Sequence, residues 1–183
     1  MRRIVWEGLK PAQIRGNIFQ PTDRHHIHAS TVKSLFRHTT QHQVRNYEID
    51  WQGIVHNANY LLFFELGRIE YLKHLGIPVN MNSIRHESRV VLVRNELDYA
   101  SSAKFDDLLT IHTRVSFIKN TSFGFEGMIE DESTGLLVAK NLAIHVWLDG
   151  GEGRPMPVPE SFRKVVMAFE GDNLKLIGSG THQ

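Results

Sequence analysis

The chain contains no cysteine, which excludes disulfide cross-links, a thiolate nucleophile and cysteine-ligated zinc. Any catalytic group must therefore be an oxygen or nitrogen base. No apolar run approaches the roughly 20 residues needed to span a bilayer, and the N-terminus lacks the apolar stretch of a secretory signal. The expectation is a cytoplasmic protein with no membrane span. Net charge is also nearly absent. Twenty-one Lys and Arg against 20 Asp and Glu leave +1 at pH 7, with both signs spread through the body, so no nucleic-acid footprint is visible. The imbalance is local: residues 1–40 hold seven basic residues against Glu7 and Asp23, a net of +5, which leaves −4 for residues 41–183. The basic excess belongs to an N-terminal extension.

A chain of 183 residues with 41% hydrophobic content fits one compact domain with extensions. Residues 1–40 show no sustained period of 2 or 3.6 and read as a basic arm. Its isolated apolar residues include Trp6 and Phe19. The run His25, His26, Ile27, His28 lacks a carboxylate or further ligand at a defined spacing and reads as a solvated cluster, not a metal site. The domain is expected over residues 41–170, followed by a frayed tail, 171–183.

Within the domain, residues 41–49 predict a strand with Val44, Tyr47 and Ile49 inward. A helix from Asn57 or Asn59 to Leu75 is stopped by Gly76 and Pro78. At 100° per residue, Leu61, Leu62, Phe64, Leu66, Ile69, Leu72 and Leu75 form a wide apolar arc, so the helix is expected to be wrapped by its surroundings. After a loop at 78–87, strands are expected over 88–100, 107–119, 122–132 and 135–148. Their alternation is clearest in Ile111, Thr113, Val115 and Phe117. The segment 149–159 carries three glycines and three prolines and predicts a loop. A short amphipathic helix starts at Pro159, Glu160 and Ser161, with Phe162, Val165, Val166 and Phe169 on its apolar side. One helix inserted after the first strand of an antiparallel meander is an α+β fold.

The chemistry concentrates between Tyr47 and Gly76. A lone carboxylate, Asp50, precedes Trp51 and a turn at Gly53, and an apolar helix begins beside it. The free N–H groups of a first helical turn favour an oxyanion, so a base beside them suits acyl transfer to water. By residue type and spacing alone, a turn aspartate is the better reading of Asp50 and a helix cap the better reading of Asn57. The residues Asp50, Gly53, Ile54, Val55, Asn57, Ala58, Tyr60, Leu61, Phe63, Phe64, Glu65 and Arg68 stand in a pattern that resembles the hotdog-fold acyl-CoA thioesterases of the 4-hydroxybenzoyl-CoA thioesterase type. The resemblance is specific in this block and looser across the rest of residues 41–170, where it includes the ending LDGGEGRPMPVPESFR.

That resemblance implies a curved antiparallel sheet wrapped around one long central helix, hydrolysis of acyl-CoA, no cofactor and no metal. It makes Asp50 the catalytic nucleophile or general base. It assigns the oxyanion site to the helix N-terminus at Asn57, Ala58 and Asn59. Members carry Tyr, His or Asn where Asn57 stands. The neighbouring His56 is expected to project differently from residue 57 and is not taken as a replacement for it. The working unit implied is a homodimer or homotetramer with the acyl pocket between subunits. Glu65 and Arg68 fall inside the apolar arc, where charge needs a partner. Their i, i+3 spacing suggests a mutual or cross-subunit ion pair, with Glu65 as a second candidate carboxylate. Arg114, Lys119 and Arg154 are weak candidates for CoA phosphate contacts. His86, His112 and His145 carry no assigned role. The pocket wall is expected among Trp51, Phe63, Phe64, Tyr71 and Trp147. Hydrolysis of acyl-carrier-protein thioesters and non-catalytic acyl-CoA binding are the alternatives; a dehydratase would need a histidine that nothing here matches.

Overall fold

The structure is a computed structural model that describes residues 33–79 and 88–178. Most of the basic arm, with Trp6, Phe19 and the His25–His28 run, lies outside the described residues, as do His86 and most of the 78–87 loop. Strands β1 (His38–Gln43), β2 (Ser88–Tyr99), β3 (Leu108–Ile118), β4 (Ser122–Asp131), β5 (Leu137–Asp149) and β6 (Lys175–Leu176) form one sheet, and helices α1 (Asn59–His74) and α2 (Glu160–Glu170) accompany it. The order is β1-β3-β4-β5-β2, antiparallel throughout, with β6 added parallel to β3. This is an α+β fold.

The four strands expected from alternation match β2 to β5 within two residues, because their separators are true turns. Lys119 N–H donates to Ser122 O at 2.7 Å between β3 and β4. Between β4 and β5, Asp131 Oδ1 accepts Ser133 Oγ at 2.6 Å and Thr134 N–H at 2.8 Å, and Gly135 takes φ +68°. The pairing of β2 differs from a simple meander. It lies beyond β5 at the far edge, so the chain must cross the sheet between β1 and β2, and α1 makes that crossing.

Two expectations at the front of the domain are corrected. The first strand ends at Gln43, and residues 46–48 form a 3₁₀ turn. The cause is Glu48, whose carboxylate accepts Arg45 N–H at 2.7 Å and contacts the His42 ring at 3.0 Å. Tyr47 is consequently 80% exposed, while Val44 is fully buried as expected. On α1 the buried residues are Tyr60, Phe63, Phe64, Gly67 and Tyr71, whereas Leu61 and Leu62, placed in the buried arc by angle alone, are exposed.

Close approach selects that face. A Cβ on Gly67 would stand 2.5 Å from Thr113 Oγ1 and 2.8 Å from Ile111 Cγ2, and one on Gly127 would stand 2.5 Å from the Phe64 ring. The helix therefore rests on β3 through a bare backbone, and the Phe64 ring fills the space over Gly127 in β4. Phe63, Phe64 and Tyr60 pack with Leu109, Ile111 and Ile129. Tyr71, Phe125, Phe162 and Val166 build a second cluster under α2; Val165, expected on that side, is 37% exposed.

The seam between β1 and β6 is closed by a side chain. The register of β1 on β3 ends at Thr113, and β6 begins opposite Phe117. Between them Val115 N–H donates to Glu170 Oε1 at 3.1 Å, and Tyr71 Oη donates to the same oxygen at 2.6 Å. Burial pushes the Glu170 carboxyl above its ordinary value.

Replacing Gly67 by Ala should destabilise the fold by about 1–3 kcal/mol through overpacking, although Ala favours a helix interior by about 1 kcal/mol. Urea unfolding with an unchanged m-value measures the difference. A second expectation concerns His145, stacked on Phe123 and edge-on to Phe125. Burial first, and the Arg68 charge second, push its pKa from 6.5 down to about 4. The unfolded chain then binds a proton that the folded chain refuses. Stability is full above pH 6.5 and falls as pH drops from 6.5 toward 4, by up to about 3 kcal/mol. His145→Phe should flatten that acid limb in unfolding measurements at pH 7, 6 and 5.

Candidate active site

The loop between β1 and α1 is folded by its own backbone. Ile49 bridges Val55, Asp50 N–H donates to Ile54 O at 2.8 Å, and Gly53 N–H returns to Asp50 O at 3.0 Å. Gly53 holds φ +77°, a conformation for which glycine is suited. Gln52 N–H donates to Asp50 Oδ1 at 2.7 Å, which orients the carboxylate and leaves Oδ2 without a hydrogen bond among the described residues. Asp50 thus satisfies its turn and still presents one oxygen. Trp51, expected in the pocket wall, is 93% exposed.

At the start of α1 the three candidate amides have different fates. Asn59 N–H donates to His56 O at 2.9 Å, and its side chain donates to Glu48 O at 2.8 Å. Ala58 N–H donates to the Nδ1 of His56 at 3.2 Å. Asn57 N–H makes no hydrogen bond among the described residues. Its carbonyl accepts the Tyr99 hydroxyl at 3.1 Å, so a side chain from the end of β2 steadies the peptide that opens the helix. Below it, Ala103 N–H donates to Tyr60 Oη at 3.3 Å, and burial raises the Tyr60 hydroxyl above its ordinary value.

Asp50, His56 and Asn57 open onto one cleft of about 600 Å³, lined also by Trp51, Tyr60, Tyr99 and Ser101. Asp50 and Asn57 are thus placed on one cleft. His56 lines the same cleft. Tyr99 and Ser101 were not found from the sequence; they come from the far edge of the sheet, and no local motif marks them. Of the expected wall, Trp51 lines the cleft, Phe63, Phe64 and Tyr71 are buried in the core, and Trp147 packs in the cluster under α2.

The remaining candidates lie elsewhere. Glu65 is exposed on α1 and does not line the cleft. Arg68 is half-buried with Nη1 unpaired among the described residues, and desolvation lowers its pKa against the raising effect of Glu65. Arg114 is 7% exposed and bound to Glu126 at 2.6 Å. Lys119 sits over the Phe117 ring, and Arg154 pairs with Glu152 at 2.8 Å. None of these three lines the Asp50 cleft. No helix among the described residues is long and apolar enough to cross a membrane.

A family model described as the thioesterase-like superfamily matches residues 44–166. The chain is 31% identical over 116 residues to the acyl-CoA thioesterase YbgC of Haemophilus influenzae, across 63% of this chain and 84% of that protein. It is 30% identical over 159 residues to the chloroplastic acyl-acyl carrier protein thioesterase ATL2 of Arabidopsis thaliana, across 86% of this chain and 82% of that protein. Among solved structures it resembles a thioesterase from Thermus thermophilus complexed with coenzyme A and Zn. That match has a TM-score of 0.65 and 29% identity, and it covers 74% of this chain and 96% of the other.

The Tyr99 contact is open to test. Tyr99→Phe should release the Asn57 carbonyl and speed amide hydrogen exchange at residues 57–60 by about fivefold to tenfold, as loss of one hydrogen bond of about 1 kcal/mol implies. Exchange in β3 and β4 should stay as in the wild type.

Proposed function

Because the chain belongs to the thioesterase-like superfamily, we propose that it is an enzyme that hydrolyses acyl-CoA to the free acid and CoA. The observation that carries this reading is the cleft at the start of α1, lined by both Asp50, whose Oδ2 carries no hydrogen bond among the described residues, and Asn57, whose N–H carries none among them. Asp50 either adds to the thioester carbonyl or draws a proton from the water that does so. Both routes raise negative charge on the carbonyl oxygen, and the Asn57 amide with the helix terminus behind it stabilises that charge. Asn57 contributes through its backbone. The steps are held by residues that are already in position, which keeps the reorganisation cost low.

The working unit in this reading is a homodimer or a homotetramer. Among the described residues strand β2 has a free edge; Val90, Leu92 and Tyr99 on it are exposed, as are Leu61 and Leu62 of α1. A second copy docked there would extend the sheet, enclose α1 from its other side and complete the hotdog arrangement. It would also offer the partner's carboxylate to the unpaired Arg68, the cross-subunit pairing that the Glu65 and Arg68 spacing suggests. The similarity to a carrier-protein thioesterase over 86% of the chain favours one second reading, in which the acyl group arrives on a carrier protein.

The test is release of free thiol from short, long and aromatic acyl-CoAs and from an acyl-carrier protein, by the wild type and by Asp50→Asn. The expected outcome is turnover of acyl-CoA and a loss of about a hundredfold or more in kcat for the variant, with the fold retained. Binding of acyl-CoA without thiol release would make the protein a binding module. Undiminished activity of Asp50→Asn would move the base to Glu65.

A further inference from the structure

We infer that His56 is a catalytic residue of this cleft, supplying a side-chain donor to the same oxyanion that Asn57 N–H receives. This role rests on the thioester-hydrolase reading above. An oxyanion of a tetrahedral intermediate is commonly held by two donors, and three backbone amides at the start of α1 were candidates. The Asn59 amide is spent on His56 O, and the Asn59 side chain on Glu48 O. The Ala58 amide is spent on the His56 ring. One amide, that of Asn57, remains.

The ring that removes the Ala58 amide returns a donor in its place. To accept Ala58 N–H, Nδ1 of His56 must carry a lone pair, so the neutral imidazole holds its proton on Nε2. The bond at 3.2 Å fixes the tautomer and the rotation of the ring together. His56 also lines the cleft beside Asp50 and Asn57, and its own N–H is anchored to Glu48 O at 2.9 Å. A donor tethered at both backbone and ring needs little reorganisation to serve, and a neutral donor leaves Asp50 free of a competing cation.

In the chemical step, Asp50 takes a proton from water, and the water oxygen adds to the thioester carbon. The carbonyl π pair moves to oxygen, where Asn57 N–H and His56 Nε2–H share the charge. When the carbonyl re-forms, the C–S bond breaks with its electron pair on sulfur, and the proton held by Asp50 passes to the thiolate. If Asp50 attacks first, the same two donors hold the oxyanion formed in that attack. Its collapse breaks the C–S bond with the pair on sulfur and leaves an anhydride on Asp50, which water then opens to the free acid and the Asp50 carboxylate, a water proton passing to the thiolate.

Two substitutions separate this role from simple capping. Asn at position 56 retains an oxygen that can accept Ala58 N–H, as Asn does at helix starts, but lacks the ring donor. His56→Asn should keep the thermal midpoint and KM close to wild type while kcat falls about a hundredfold. His56→Phe should lose at least as much. If Asp50→Asn abolishes thiol release and His56→Asn keeps kcat within about threefold of wild type, His56 is only a cap and the inference fails alone, even where His56→Phe is inactive. If the wild type releases no thiol, or Asp50→Asn stays active, the inference falls together with the function on which it rests.

Discussion

The whole arrangement depends on how closely α1 lies against the sheet. Gly67 has no side chain to hold the helix off Thr113 and Ile111, and Gly127 leaves the space that the Phe64 ring occupies. A helix seated through ordinary side chains would ride higher, and 8–10 Å between axes is usual where side chains meet. Here the bare contact near the middle of α1 fixes its height, and the chain path fixes its direction. The chain enters at the β1 edge and leaves toward β2 at the other edge. The N-terminus of α1 must therefore emerge beside the turn that follows β1, and that turn carries Asp50. The placing of Asp50 in one cleft with Asn57 is a consequence of packing two turns further along.

The same contact explains why the sequence was legible in one respect and misleading in another. Strands β2 to β5 could be read because alternation is a local signal and the separators contain residues that make turns, such as Asp131, Thr134 and Gly135. The placing of Asp50 and Asn57 on one cleft is also a local matter, since eight residues hold the turn, the glycine and the approach to the helix. The buried face of α1 could not be read by angle. Leu61, Leu62, Leu66, Ile69 and Leu72 satisfy an apolar arc as well as Tyr60, Phe63, Phe64 and Tyr71 do, so hydrophobicity gives no unique direction. Gly67 decides between them, and its effect is visible only once Thr113 lies against it.

Two further features lay beyond local reading because they are made across the sheet. Tyr99 reaches the Asn57 carbonyl from 42 residues away, and its position follows from β2 crossing to the edge beyond β5. Glu48 ends the first strand early because its carboxylate competes for Arg45 N–H and the His42 ring. A β-strand prediction by alternation has no term for such competition.

The leftover apolar face of α1 then acquires a physical reason. A helix that buried both sides within one chain would need a second layer, and the described residues provide α2 only over the Tyr71 end. Leu61 and Leu62 stay exposed, as do Val90, Leu92 and Tyr99 along a strand whose outer edge is unpaired among the described residues. Open strand edges and contiguous apolar surface are both costly to leave bare. The cleft shares this border, since Tyr99 belongs to the edge strand and Trp51 stands exposed at the rim. A second copy covering α1 and the β2 edge would reduce the water around Asp50 and strengthen every hydrogen bond aimed at a developing oxyanion. Burial of the apolar face and activation of the site would then be one event, driven by the same uncovered residues.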